Sequence, residues 1–307
     1  MHDFIITALS VHLPPVLRWA GAVARRLRGY NISLEGKSSG SAATDALTLA
    51  DLSLQELIVS ALRDCDPIFR LCRIDAEEST GDLNKFPSEA DLTIGIDPID
   101  GTRKYRDGQG PYSVMLHLRS PTTVLYSLVY QPEQGTEGWW VEARDERIVS
   151  GPDDLTRPAA DVLRSLPEIS GQTSEIPRIY MTGFMQSEDD AIRRVQSLGI
   201  DGSWWNSAAE APYQLFASRQ LCGALIHSPN VYDFPVSMHL CRILGGDAVW
   251  VHNGESVHFR QTWLDTKSSM LRLPGIVACS SDPVILQKLT ELARDWNPNR
   301  YRTGTEL

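Results

Sequence analysis

A six-residue block in the first third of the chain, Asp97-Pro98-Ile99-Asp100-Gly101-Thr102, constrains the fold more than any other stretch. At average residue usage, Asp-Pro-(Ile or Leu)-Asp-Gly-Thr arises by chance once in ~10⁷ start positions. The run before it, Asp91-Leu-Thr-Ile-Gly-Ile96, alternates and is β-branched, which predicts a strand that delivers Asp97 to its end. Pro98 fixes φ and removes a donor, so the strand is expected to stop there. The turn then aims Asp97, the Ile99 carbonyl and Asp100 at one point, a set of hard oxygens suited to Mg²⁺ or Mn²⁺ rather than zinc. Gly101 lets a ligand approach the backbone, and the N–H groups of Gly101 and Thr102 can hold a phosphate. The bland alternative is a β-turn made of ordinary turn residues.

A chain of 307 residues is long enough for two domains or one large one. Its net charge of −10 argues against a nucleic-acid polymer as partner, which needs basic patches. An acidic chain that binds phosphate must do so through metal ions and backbone donors. No apolar run approaches a membrane span. Phe4 to Ala24 is the nearest candidate for a signal, but it lacks a basic start and is interrupted by Pro14-Pro15, so it reads as a domain helix. Five cysteines without a Cys-x-x-Cys pair predict reduced, buried thiols, a cytoplasmic setting and no structural zinc.

Residues 15–28 have helical spacing, with Pro at the start and arginines in the last turn. After a Gly/Ser loop containing Lys37, residues 45–62 are helical in pattern, and Thr48-x-x-Asp51 at their head fits a capping box. Residues 69–75 read as a strand ending at Glu77-Glu78, which alone would be a solvated corner. Residues 112–118, 123–130 and 138–143 read as antiparallel strands, with Trp139 and Trp140 packing on two faces. Residues 150–177 are rich in Ser, Pro, Gly and Asp, so a boundary is placed near 150. Beyond it, strand 178–182, helices 187–198 and 207–218, strand 221–227, helix 234–244, strands 248–252 and 276–280 and helix 283–295 predict a layered α/β unit.

The Asp-Pro-Ile-Asp-Gly-Thr block resembles that of the inositol monophosphatase superfamily, Mg²⁺-dependent, lithium-sensitive phosphomonoesterases. Glu77 precedes Asp97 by a spacing similar to that of the superfamily's Gly-Glu-Glu block, with Ala76 in place of Gly. Asp45, Thr48 and Asp51, with Lys37 before them, are similar to its Asp-x-Val-Thr-x-x-Asp segment. Tyr232-Asp233 and the trailing Gly245-Gly246 resemble its Trp-Asp block, although Pro235-Val236-Ser237 replaces Ala-Ala-Gly. Ser207-Ala208-Ala209 resembles its substrate-touching element, with Asn206 for Gly.

The resemblance implies an α/β, five-layered αβαβα sandwich of the inositol monophosphatase/fructose-1,6-bisphosphatase type. Residues 1–150 would form an N-terminal α+β domain with most metal ligands, and 151–307 a C-terminal α/β domain completing the site. It implies two or three Mg²⁺ (or Mn²⁺) held by Glu77, Asp97, the Ile99 carbonyl, Asp100 and Asp233, with Asp97 bridging two ions. It further implies a metal-activated water oriented by Thr102 with Asp51 and Glu77. Substrate contacts are expected from Gly101, Thr102, Lys37, Arg103, Ser207 and Ala208. The expected activity is hydrolysis of a small polyol or sugar phosphate by a cytoplasmic homodimer. Arg103-Lys104 beside the turn leave two further readings open: a 3′(2′),5′-bisphosphate nucleotide bound through a second phosphate, or a solvated rim. A regulatory member that binds metal and phosphate without turnover is the non-enzymatic alternative. As structural alternatives, Asp51 and Asp233 are helix caps, and His227 stays unassigned.

Overall fold

The structure, a computed structural model, describes residues 2–30, 32, 47–80, 82–169, 174–184, 188–204, 211–266 and 268–296. The chain opens with helix α1 (His2–Arg28) and helix α2 (Leu49–Asp64), which pack together. Strands β1 (Arg73–Ala76), β2 (Thr93–Asp100), β3 (Ser113–Arg119), β4 (Val124–Gln131), β5 (Trp139–Arg144) and β6 (Arg147–Pro152) form a six-stranded sheet in chain order, with the short helix α3 (Thr102–Arg106) between β2 and β3. β1 runs parallel to β2 and every later pair is antiparallel.

After helix α4 (Ala159–Ser165), the second half supplies β7 (Arg178–Thr182), α5 (Glu188–Gln196), β8 (Asp201–Trp204), α6 (Pro212–Ala217), β9 (Gly223–Ile226), α7 (Phe234–Ile243) and β10 (Asp247–Trp250). The hairpin β11 (Trp263–Asp265) and β12 (Met270–Arg272), then β13 (Val277–Ser280) and α8 (Pro283–Ala293) complete it. The second sheet has the order β10-β13-β9-β7-β8.

Among the described residues, three apolar cores separate five layers. Ile94, Ile96, Leu116 and Leu128 face α1 and α2 through Leu9, Leu13, Leu54 and Ile58. The opposite sheet face, Met115, Val129 and Val141, meets α6 and α7, which also cover Tyr180, Ala224 and Val277 of the second sheet. The alternate residues of that sheet, Ile179, Met181, Leu225 and Ala278, bury α5 and α8 through Val195 and Leu289. Period-two alternation in both sheets thus generates the αβαβα sandwich.

Several elements differ from the sequence expectation. α1 starts at His2 rather than at residue 15, and it carries Pro14 and Pro15 in its interior. An interior proline costs about 3 kcal/mol, whereas full burial of an aliphatic side chain returns about 1.5–3 kcal/mol. Ile5, Leu9 and Leu13, all at 0% exposure ahead of the prolines, outweigh that cost. Residues 67–71 form a 3₁₀ turn instead of a strand, because Asp66 accepts from Ile68 N and Pro67 sits in the first turn. Within the stretch read as a loop, β6 runs to Pro152 and α4 follows. The β5–β6 turn uses Asp145 (φ 49°) and Glu146 (φ 59°), without the glycine or asparagine that announces such a turn.

Candidate metal centre

Residues 97 and 100 are three apart, so a regular strand would point their side chains to opposite faces. The register prevents this: Asp97 pairs with Met115 and Asp100 with Ser113, so β2 spends three steps where β3 spends two. That extra residue is a bulge, and it turns both carboxylates toward the central α6/α7 layer. Asp97 Oδ1 accepts from Ile99 N at 3.0 Å, which holds the bulge closed. Gly101, at φ 93°, then reverses the chain into α3, a conformation a Cβ would strain.

The other acids arrive from three elements. Glu77 leaves β1 with its N–H on Ile96 O at 3.2 Å, and its carboxyl hydrogen-bonds that of Asp97. Asp51 heads α2 inside the capping box, Oδ2 accepting from Thr48 N at 2.7 Å and from Thr48 Oγ1 at 2.6 Å. Its Oδ1 lies 3.1 Å from Thr102 Oγ1, which is also 2.9 Å from Ile99 O. Asp51 is therefore both a cap and a part of the cluster. Asp233 caps α7, accepting from Phe234 N at 2.6 Å, and Asn230 Oδ1 fixes the turn by accepting from Tyr232 N and Asp233 N. The outcome is that Asp97, Asp100 and Asp233 offer ligand oxygens within 4.8 Å of one another.

Burial dominates the electrostatics. It lifts Asp97 and Asp100 well above the ordinary carboxylate range, and the neighbouring acids lift them further, Glu77 first for Asp97 and Asp233 first for Asp100. Burial, aided by Glu77, raises Asp233 to about 6. Asp51 rises to about 7 by burial, against the Thr48 hydrogen bond and with Glu77. Carboxylates crowded in this way are short of positive charge, and an all-oxygen donor set suits a hard divalent cation such as Mg²⁺. The residues present fit that ion.

One neighbour was not expected. The Tyr213 hydroxyl on α6 hydrogen-bonds Asp100, and burial with the surrounding acids raises the Tyr213 hydroxyl well above its ordinary value. An uncharged tyrosine far along the chain gave no signal in the sequence. Lys104 is buried on α3 close enough to Asp100 for its charge to offset part of the rise that burial and Asp233 impose. Arg103, by contrast, is exposed and turns toward Asp107 at 3.7 Å. Lys37, Ser207 and Ala208 lie outside the described residues. Four cysteines are buried as expected, but Cys65, just past the end of α2, is exposed; all five are free thiols.

Residues 15–153 match the family model described as "Inositol monophosphatase family". This stretch belongs to the inositol monophosphatase family. The match covers the bulged strand, Glu77, Asp51 and Thr102, and that family is one of phosphoric monoester hydrolases. No curated protein matches the sequence. Among solved structures, an IMPase from Thermotoga maritima is similar at TM-score 0.65 and 15% identity, over 96% of this chain and 99% of that one. Extragenic suppressor protein suhB from Bartonella henselae aligns at TM-score 0.64 and 16% identity, over 95% and 98%. SaIMPase-II, in a structure described as 2′AMP-bound, aligns at TM-score 0.62 and 14% identity, over 92% and 94%. In one described as inositol monophosphate-bound it aligns at 0.59 and 14%, over 93% and 94%. At these identities the structures establish the shared fold. No described helix is long and apolar enough to cross a membrane.

Proposed function

We propose that the chain hydrolyses the monophosphate ester of a small polyol or sugar with the help of divalent cations. The observation that carries this reading is the convergence of Asp97, Asp100 and Asp233 within 4.8 Å, with Glu77 bonded to Asp97 and Thr102 poised between Asp51 and Ile99 O. Asp97, Asp100, Asp233, Glu77 and the Ile99 carbonyl would hold Mg²⁺. When bound, the ion supplies positive charge for the phosphate and acidity for a nearby water.

The chain's own residues do the rest. Thr102 Oγ1 has one hydrogen and two acceptors in reach, Asp51 Oδ1 at 3.1 Å and Ile99 O at 2.9 Å. With Asp51 near pKa 7, the Thr102–Asp51 pair can take the proton that an attacking water gives up. Among the described residues no thiol or histidine is needed as a covalent nucleophile. Gly101 keeps the backbone of the turn open to the phosphate.

A second substrate reading, a 3′(2′),5′-bisphosphate nucleotide, draws on Arg103 and Lys104 next to the turn and on SaIMPase-II, described bound to both inositol monophosphate and 2′AMP. A regulatory, non-catalytic member would not need the Thr102–Asp51 pair. Phosphate release from inositol monophosphate, sugar phosphates, 2′-AMP and phosphoadenosine phosphate, with and without Mg²⁺, separates the three. Mg²⁺-dependent release from the polyol or sugar esters is expected. Release confined to the nucleotides selects the second reading, and no release with retained phosphate binding selects the third.

A further inference from the structure

Asp100 has Ser113 as its cross-strand partner on β3, and the same register, carried one step past Val114 and Tyr130, sets Ser113 opposite Gln131 on β4. Both side chains are fully buried. They stand on the sheet face of Met115 and Val129, the face from which Tyr213 reaches Asp100. Ser113 Oγ, Gln131 Oε1, Gln131 Nε2 and Asp100 Oδ2 have no hydrogen-bond partner among the described residues.

A cation in the acid cluster would account for the Asp100 oxygen. It does not account for the other three atoms, which lie one and two strands behind it. Buried polar groups in folded proteins are almost always paired, and an unpaired set marks a bound water or ion. The chemistry of the set decides between these. A second cation would suit the Ser113 and Gln131 oxygens but would face the Gln131 N–H donors with like polarity. Water both donates and accepts, and a buried water needs two to four polar partners. An apolar occupant would satisfy none of the groups.

We infer that a buried water joins Ser113 and Gln131 to Asp100, so that these two side chains are positioning residues that fix the carboxylate toward its cation. The inference rests on the proposed reading of Asp100 as a metal ligand. Groups behind a ligand typically change metal affinity 10–100-fold when removed.

Two measurements test it. By calorimetric titration of the substrate-free protein with Mn²⁺, Ser113→Ala and Gln131→Met are each expected to weaken binding about 10-fold. The double variant is expected to weaken it no more than the stronger single change, because the two residues share one water. Affinities within twofold of wild type overturn the positioning role. Ser113→Ala removes one atom, so a folding defect in Gln131→Met leaves the test standing. In a crystal of the metal-free protein, a water within hydrogen-bond reach of Ser113 Oγ and Gln131 is expected whether or not the cation reading holds. A direct Ser113–Gln131 bond with no water between overturns the inference. If that water is present while the wild-type protein fails to bind Mn²⁺, the cation reading falls and the water site stands.

Discussion

Asp97 is the residue on which the acid cluster closes, since Glu77 bonds to it and Asp100 and Asp233 both bear on its charge. Asp97→Asn keeps the shape and the hydrogen bond to Ile99 N but removes the anion, so the fold is expected to persist. Phosphate release should fall at least about 10³-fold, equal to about 4 kcal/mol of transition-state stabilisation. Near-normal turnover with an unchanged circular-dichroism spectrum would refute the role given to Asp97. Asp51 makes a prediction about pH. Its folded pKa, about 7, stands above its ordinary 3.8, so the native state holds a proton that the unfolded chain has released. The Asp51 contribution to the stability of the metal-free protein is therefore fully present below pH 4, is lost between pH 4 and 7, and is absent above 7, at most about 4 kcal/mol in all. Denaturant titrations across that range should show the wild type losing stability relative to Asp51→Asn as pH rises. Equal slopes would mean that Asp51 is not the buried acid described. The grouping of acids at this scale was legible where charged residues carry it, since Asp97, Asp100 and Asp233 come together and Glu77 lies against Asp97. Tyr213 was not legible, because its contribution depends on where α6 packs rather than on any local pattern.

Among elements, the one that follows Asp97 was read correctly in purpose and incompletely in form. Pro98 was expected to end the strand, yet β2 continues through a bulge to Asp100, and the bulge is what aligns the two acids. A bulge is defined by the partner strand's register, and a single strand's sequence does not contain its partner. The same holds for β6, β11 and β12, short edge or hairpin strands whose pairing comes from neighbours. Strands β3 and β4, buried on both faces, were recognisable from their apolar, β-branched and aromatic content, and the amphipathic α2 and α8 because their own periodicity specifies a buried face. In α1 the opposite occurs, since packing overrides two prolines. Pro15 is exposed, so Pro15→Ala changes no core contact and gives the helix a backbone donor. The propensity gain of about 3 kcal/mol, less about 1 kcal/mol for the freer unfolded chain, should leave about 2 kcal/mol of added stability. An unchanged or lowered unfolding midpoint would show that the prolines set a bend the packing needs.

At the level of the whole molecule, the acid cluster is a joint between layers. Asp51 comes from the outer helices, Glu77, Asp97 and Asp100 from the first sheet, and Asp233 with Tyr213 from the central helices. Five acids drawn to one cluster in a chain of net charge −10 repel each other across those layer boundaries. A divalent cation that binds only the native arrangement adds RT ln(1 + [L]/Kd), about 2.7 kcal/mol at a hundredfold excess over Kd. Removal of divalent ions by a chelator should therefore lower the melting temperature, and Mg²⁺ should restore it. The effect should grow with pH, because the carboxyls that compete for protons at pH 5 are free to bind metal at pH 8. Sodium chloride at the same ionic strength should not substitute, since buried charges are poorly screened. A melting temperature that ignores chelator and Mg²⁺ at pH 8 would mean that these layers are held together by apolar packing alone, and that the five acids do not act as one binding site.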